Sequence, residues 1–84
     1  MDGFEVKELR EELKEYLETR DLSDKWNKAK KFLEQHPQIG SLDFKKIEPK
    51  ENNIYSFRLD RQYRGLCYFK DGKLIVFSFT NHYD

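Results

Sequence analysis

The 84-residue sequence is short of most of what would staple a fold, span a membrane or hold a metal. It has one cysteine, Cys67, and so cannot form an internal disulfide. A lone thiol in an apolar strand-like run reads as a small core residue, and the chain as suited to a reducing cytoplasm. Only four glycines are present (Gly3, Gly40, Gly65, Gly72), spaced too widely for a glycine-rich phosphate loop. The two histidines, His36 and His82, give no paired metal-ligand spacing. No apolar run approaches the roughly 18 residues of a membrane span. The N-terminal residues lack the basic and apolar blocks of a signal peptide. Net charge is zero, which argues against strong non-specific binding to a polyanion. We therefore expect no cofactor, no metal, no small-molecule ligand and no membrane partner.

What is present is unevenly placed. Residues 1–24 hold nine acids and four bases, and residues 25–84 hold seven acids and twelve bases. The molecule is dipolar, and local fields matter more than the sum when an anion is bound. Twelve of the 13 aromatic residues are Phe or Tyr, so a chain this short is expected to build one domain, residues 1–84, around a few large rings.

The apolar residues Val6, Leu9, Leu13, Tyr16 and Leu17 recur with helical period, as do Leu22, Trp26, Ala29, Phe32 and Leu33. Asp21, with Asp24 three residues on, is a candidate cap for the second helix, and His36-Pro37 is its stop signal. Gly3–Val6 alternates too briefly to decide between a short strand and the helix start. The lysines at 25, 28 and 31 mark a solvated helix face. After the loop Gln38–Ser41 the period changes to two: Leu42–Lys45, Ile54–Leu59, Tyr63–Lys70 and Leu74–Thr80 read as strands. Asp71-Gly72 has the residues of a two-residue hairpin turn. The expected class is α+β: an N-terminal antiparallel helical hairpin packed on one face of a three- to four-stranded antiparallel sheet.

The chemistry gathers in Tyr55–Arg64, where Arg58, Arg61 and Arg64 alternate with apolar side chains. Guanidinium groups are planar forks suited to phosphate, and a strand would hold them rigidly. A three-residue turn at Asp60–Gln62 sets Arg58 across from Arg64. A two-residue turn at Asp71-Gly72 sets Lys70 across from Lys73, Arg64 across from Phe79 and Arg61 across from His82. One end of the sheet then collects the three arginines and an imidazole, although strict alternation puts His82 on the face opposite Arg64.

Four segments carry a family resemblance: Ser41-Leu42-Asp43-Phe44-Lys45-Lys46, Ile54-Tyr55-Ser56-Phe57-Arg58-Leu59, Tyr63-Arg64-Gly65-Leu66 and Phe77-Ser78-Phe79-Thr80-Asn81-His82. In this order and spacing they resemble the RelE/ParE superfamily, the toxin halves of bacterial type II toxin–antitoxin pairs. The resemblance implies a RelE-like fold and a small metal-independent endoribonuclease (an mRNA interferase) that inhibits translation by cutting mRNA on the ribosome. It implies a cognate antitoxin as partner. Its chemistry would be attack of a ribose 2′-OH on the adjacent phosphate. Carried over residue by residue, the resemblance makes Arg64 the principal phosphate stabiliser and Arg58 a second basic position. His82 is the proton-transfer group, and Tyr83 stacks on a base or shares the acid role. Arg61, Lys45 and Lys46 are candidate RNA contacts. Lys45 stands where some members carry a catalytic glutamate. Two alternatives stay open: a non-nuclease member that binds a protein target such as a topoisomerase, and an inactive relative that binds an antitoxin.

Overall fold

In the computed structural model, which describes residues 5–35 and 42–81, seven regular elements and one 3-10 turn follow one another along the chain. They are β1 (Glu5–Glu8), α1 (Glu12–Thr19), α2 (Ser23–Gln35), β2 (Lys45–Lys46), the 3-10 turn Lys50–Asn52, β3 (Tyr55–Arg58), β4 (Arg64–Lys70) and β5 (Lys73–Thr80). The class is α+β, but the sheet is five-stranded and mixed, in the order β1-β5-β4-β3-β2. The expectation of a purely antiparallel sheet of three or four strands is thereby corrected. β1 precedes both helices and pairs parallel to β5, Val6 opposite Leu74. The short connections between β2 and β5 do force antiparallel neighbours. β1 escapes that rule because both helices lie between it and its partner.

The helical stripes are displaced at their starts for the same reason. Val6 is a buried strand residue, Leu9 is half exposed, and α1 buries Leu13 and Leu17. α2 buries Trp26, Ala29 and Leu33, as its period of three and four requires. Asp21 lies two residues before α2, in the left-handed region at φ 58°, and so does not cap it. The stop signal His36-Pro37 and the loop 38–41 fall outside the described residues.

One face of the sheet meets the helices through Val6, Leu74, Val76, Phe79, Cys67 and Phe57. Trp26 centres that layer. Its ring stacks on Phe57 at 5.8 Å and meets Phe79 edge-on at 5.3 Å, while its Nε1 donates to Glu8 Oε2 at 2.9 Å. Burial alone would push the Glu8 carboxyl up. The Trp26 hydrogen bond and the nearby Lys30 ammonium outweigh it and hold the group below the ordinary range. Gly65 sits opposite Phe57, whose ring lies so close that a Cβ at 65 would come within 2.2 Å of Cζ. Only glycine fits there.

Both turns that set the register follow their residue chemistry. Asp71 and Gly72 take φ of 53° and 78°, and Lys70 pairs with Lys73. At the other end Arg58 pairs with Arg64 around Asp60–Gln62. Asp60 closes that loop by accepting from the backbone N–H of Gln62 and of Tyr63, each at 2.8 Å. Between β4 and β5 the expected register holds only from the hairpin to Cys67–Val76. There β5 carries one extra residue, Phe77, and beyond it Arg64 pairs with Thr80 and not with Phe79. The strand expected over Leu42–Lys45 pairs only at Lys45–Lys46. Asp43, at φ 50°, turns the chain before pairing begins.

Candidate phosphate-binding face

The face of the sheet away from the helices carries the basic residues. By register it presents Lys45 from β2, Arg58 from β3, Arg64 and Lys70 from β4, Lys73 from β5 and Lys7 from β1. Among the described strands only Glu5 opposes them there, and it pairs with Lys7 at 3.4 Å. Leu66, Tyr68 and Ile75 lie between the cations, with the Tyr68 and Phe77 rings 5.7 Å apart. A chain of zero net charge thus concentrates positive charge on one sheet face.

At one end of this face Arg58 and Arg64 stand directly across from each other. Opposed like charges destabilise a strand pair unless something neutralises them. Here the compensation comes from Asp43 and Ser56. Arg64 is buried, 2% exposed, although it belongs to the face without helices. Its Nε donates to Ser56 Oγ at 3.2 Å, and its Nη2 donates to Ser56 Oγ and to the Asp43 carbonyl, both at 2.9 Å. Nη1 donates to Asp43 Oδ2 at 3.0 Å. Lys45 Nζ lies 3.6 Å from that same oxygen. The Asp43 carboxylate thus meets Arg64, Lys45 and, at longer range, Arg58. The Arg64 hydrogen bond, reinforced by these charges, holds its carboxyl below the ordinary carboxylate range against partial loss of hydration.

The Arg58 side chain is exposed and makes no hydrogen bond or ion pair among the described residues. Arg61, in the Asp60–Gln62 loop, is likewise exposed. Lys45 and Lys46 do not act from one side. Lys45 shares the Arg58/Arg64 face, whereas Lys46 pairs with Tyr55, donates to Asn53 Oδ1 at 3.1 Å and lies 5.7 Å over the Tyr55 ring. Adjacent strand residues point to opposite faces, so only Lys45 shares a sheet face with Arg58 and Arg64. His82 and Tyr83 lie outside the described residues.

Two members of the cluster escape a reading of the residues alone. Ser56 resembles any polar residue on the open side of a strand, and Asp43 resembles an alternating solvent residue. Asp is one of the few side chains that tolerate φ above zero, which was the available hint for position 43.

A groove of about 450 Å³ lies apart from this cluster, between α2 and the β3–β4 loop, lined by Lys25, Lys28, Phe32, Leu42, Leu59 and Asp60. Lys25 Nζ and Asp60 Oδ2 pair across it at 3.0 Å. No helix among the described residues is long and apolar enough to cross a membrane. No protein-family model matches the chain, and no curated protein matches it.

Proposed function

We propose that this chain is the toxin of a type II toxin–antitoxin pair of the RelE/ParE kind, a ribosome-dependent mRNA endoribonuclease acting in the cytoplasm. In this reading the two helices form the hairpin of a RelE-like fold and cover the sheet's apolar face, leaving the basic face to RNA. The observation that carries the reading is the cross-strand pair Arg58–Arg64, with Lys45 beside it, on that basic face. Single-stranded RNA has the matching chemistry: a string of phosphates that cations position and bases that stack on exposed rings.

The reaction forms a bond from the ribose 2′-oxygen to phosphorus and breaks the bond from phosphorus to the 5′-oxygen. The products are a 2′,3′-cyclic phosphate and a 5′-hydroxyl. Positive groups lower its barrier by meeting charge on the pentavalent phosphate, the task given to Arg58 and Arg64. A proton must leave the 2′-hydroxyl and another must reach the departing oxygen. His82 is assigned to proton transfer and Tyr83 to its support, with Arg61 and Lys45 gripping flanking phosphates.

The test is translation in a purified ribosomal system, with the 3′ ends of the mRNA fragments mapped. Fragments with cyclic-phosphate ends, lost on Arg58→Ala or His82→Ala with the fold intact, support the reading. Full-length mRNA under conditions where the protein arrests growth removes the nuclease.

A second reading has its own observation. The apolar floor of the α2 groove (Ala29, Phe32, Leu42, Leu59) with lysines on its rim suits an acidic amphipathic protein segment. A protein-binding role, whether on a topoisomerase or on an antitoxin, would use that groove and not the arginines. Toxicity that survives Arg58→Ala and is lost on Phe32→Asp would select it.

A further inference from the structure

Four of the five guanidinium N–H groups of Arg64 bond to Ser56 and Asp43. These four hydrogen bonds divide into two kinds. Three of them, from Nε and Nη2, end on Ser56 Oγ and on the Asp43 backbone carbonyl, groups fixed by β3 and by the chain itself. The fourth, from Nη1, ends on the Asp43 carboxylate, whose side chain is 40% exposed. The fixed set orients the fork. The fourth acceptor is an anion at the solvent boundary, on a side chain that can rotate while its own backbone carbonyl stays bonded.

Around that carboxylate stand Arg64, Lys45 at 3.6 Å and Arg58 across the strand pair. All three cations act on the one Asp43 carboxylate. A carboxylate and a phosphate present similar oxygen pairs to one edge of a guanidinium.

We propose that the Asp43 carboxylate is an internal stand-in for the substrate phosphate, and that RNA engages Arg64 by displacing it. This rests on the proposed RNA-binding function of the same face and adds its regulation: Arg58 and Lys45 make the first contact, and Arg64 joins when the carboxylate swings out. A phosphodiester oxygen and Asp43 Oδ2 cannot both accept the same Nη1 hydrogen, so a phosphate bound at that position displaces the carboxylate. The arrangement keeps the buried guanidinium paired while the site is empty, when an uncompensated charge would be costly. It also makes the site selective against ligands too weakly charged to displace a carboxylate.

The experiment compares wild type with Asp43→Asn and Arg58→Ala in titrations with a labelled short single-stranded RNA at low salt, followed by fluorescence anisotropy. The Arg64 Nε resonance of the wild type is recorded in parallel. An asparagine keeps the shape and an oxygen acceptor for Nη1 but removes the competing charge. Asp43→Asn is expected to tighten RNA binding roughly two- to fivefold, the range set by exposed ion pairs. The Arg64 signal of the wild type is expected to move on saturation. Equal or weaker binding by Asp43→Asn at an unchanged melting temperature overturns the proposal. Should that variant prove unstable, an Arg64 signal unmoved in RNA-saturated wild type overturns it equally. RNA bound through Arg58 with the Arg64–Asp43 pair intact removes the competition alone. RNA bound by no variant removes the RNA-binding function and the competition with it.

Discussion

Gly65→Ala tests the packing that supports the site. A Cβ at 65 would sit 2.2 Å from Phe57 Cζ and within 2.7 Å of both Cε atoms, where ordinary contact needs 3.4 Å or more. The ring must retreat by more than an ångström. It has nowhere to go, since Phe57 is fully buried and stacked on Trp26, which is in turn wedged against Phe79. Overpacking of this kind costs about 1–3 kcal/mol, and this clash belongs at the upper end. Alanine recovers about 0.5–1 kcal/mol through the unfolded chain. The net loss is about 2 kcal/mol, which for a domain of this size lowers the melting temperature by about 8–16 °C. Thermal and urea unfolding measure it directly. Phe57→Leu in the Gly65→Ala background is expected to restore part of the loss, with a coupling above about 0.5 kcal/mol in the double-mutant cycle. A melting temperature unchanged or raised in Gly65→Ala would refute the close packing of Phe57 over Gly65.

Other outcomes follow from the same geometry. Arg58→Ala removes an exposed charge opposite a like charge, so stability is expected within about 0.5 kcal/mol of wild type. Arg64→Ala strands Ser56 and Asp43 and is expected to cost about 1–3 kcal/mol, both changes being read by urea unfolding. Asp43, Glu8 and Asp60 all have folded-state pKa values below their ordinary ones. Their stabilisation is therefore fully present above the unfolded value of about 4 and is lost as pH falls through the folded one. Stability measured into the acid range should decline below about pH 4, and Asp43→Asn should flatten part of that decline. Burial pushes the Cys67 thiol up to about 12. Thiol reagents should leave the folded protein unmodified at mildly alkaline pH and label it on unfolding.

Residues with strong local chemistry were legible without coordinates. Asp71-Gly72 specifies its turn, and the length of the Asp60–Gln62 loop specifies Arg58 opposite Arg64. Trp26, Ala29 and Leu33 declare the buried side of α2. β1 was not legible as a certain strand because four residues give two turns of alternation, and its partner β5 lies some 70 residues away. The extra residue at Phe77 has no local signature. Its cost and its benefit lie in how β5 bends over the core, so the pairing of Arg64 shifted from Phe79 to Thr80 unannounced. Arg64 departs furthest from its sequence pattern. An arginine in an alternating strand reads as exposed, and only the turn at Asp43 brings a carboxylate and a carbonyl back over it.

In the proposed function the helix-free sheet face receives RNA phosphates. Mapping amide chemical-shift changes during titration with a short single-stranded RNA tests it most directly. The expected result is a contiguous set of shifted amides on Lys45, Ser56, Arg58, Arg64, Leu66 and Tyr68, weakening as salt is raised. Shifts confined to α1, α2 and the Leu59–Asp60 groove, or none at all at low salt, would contradict it.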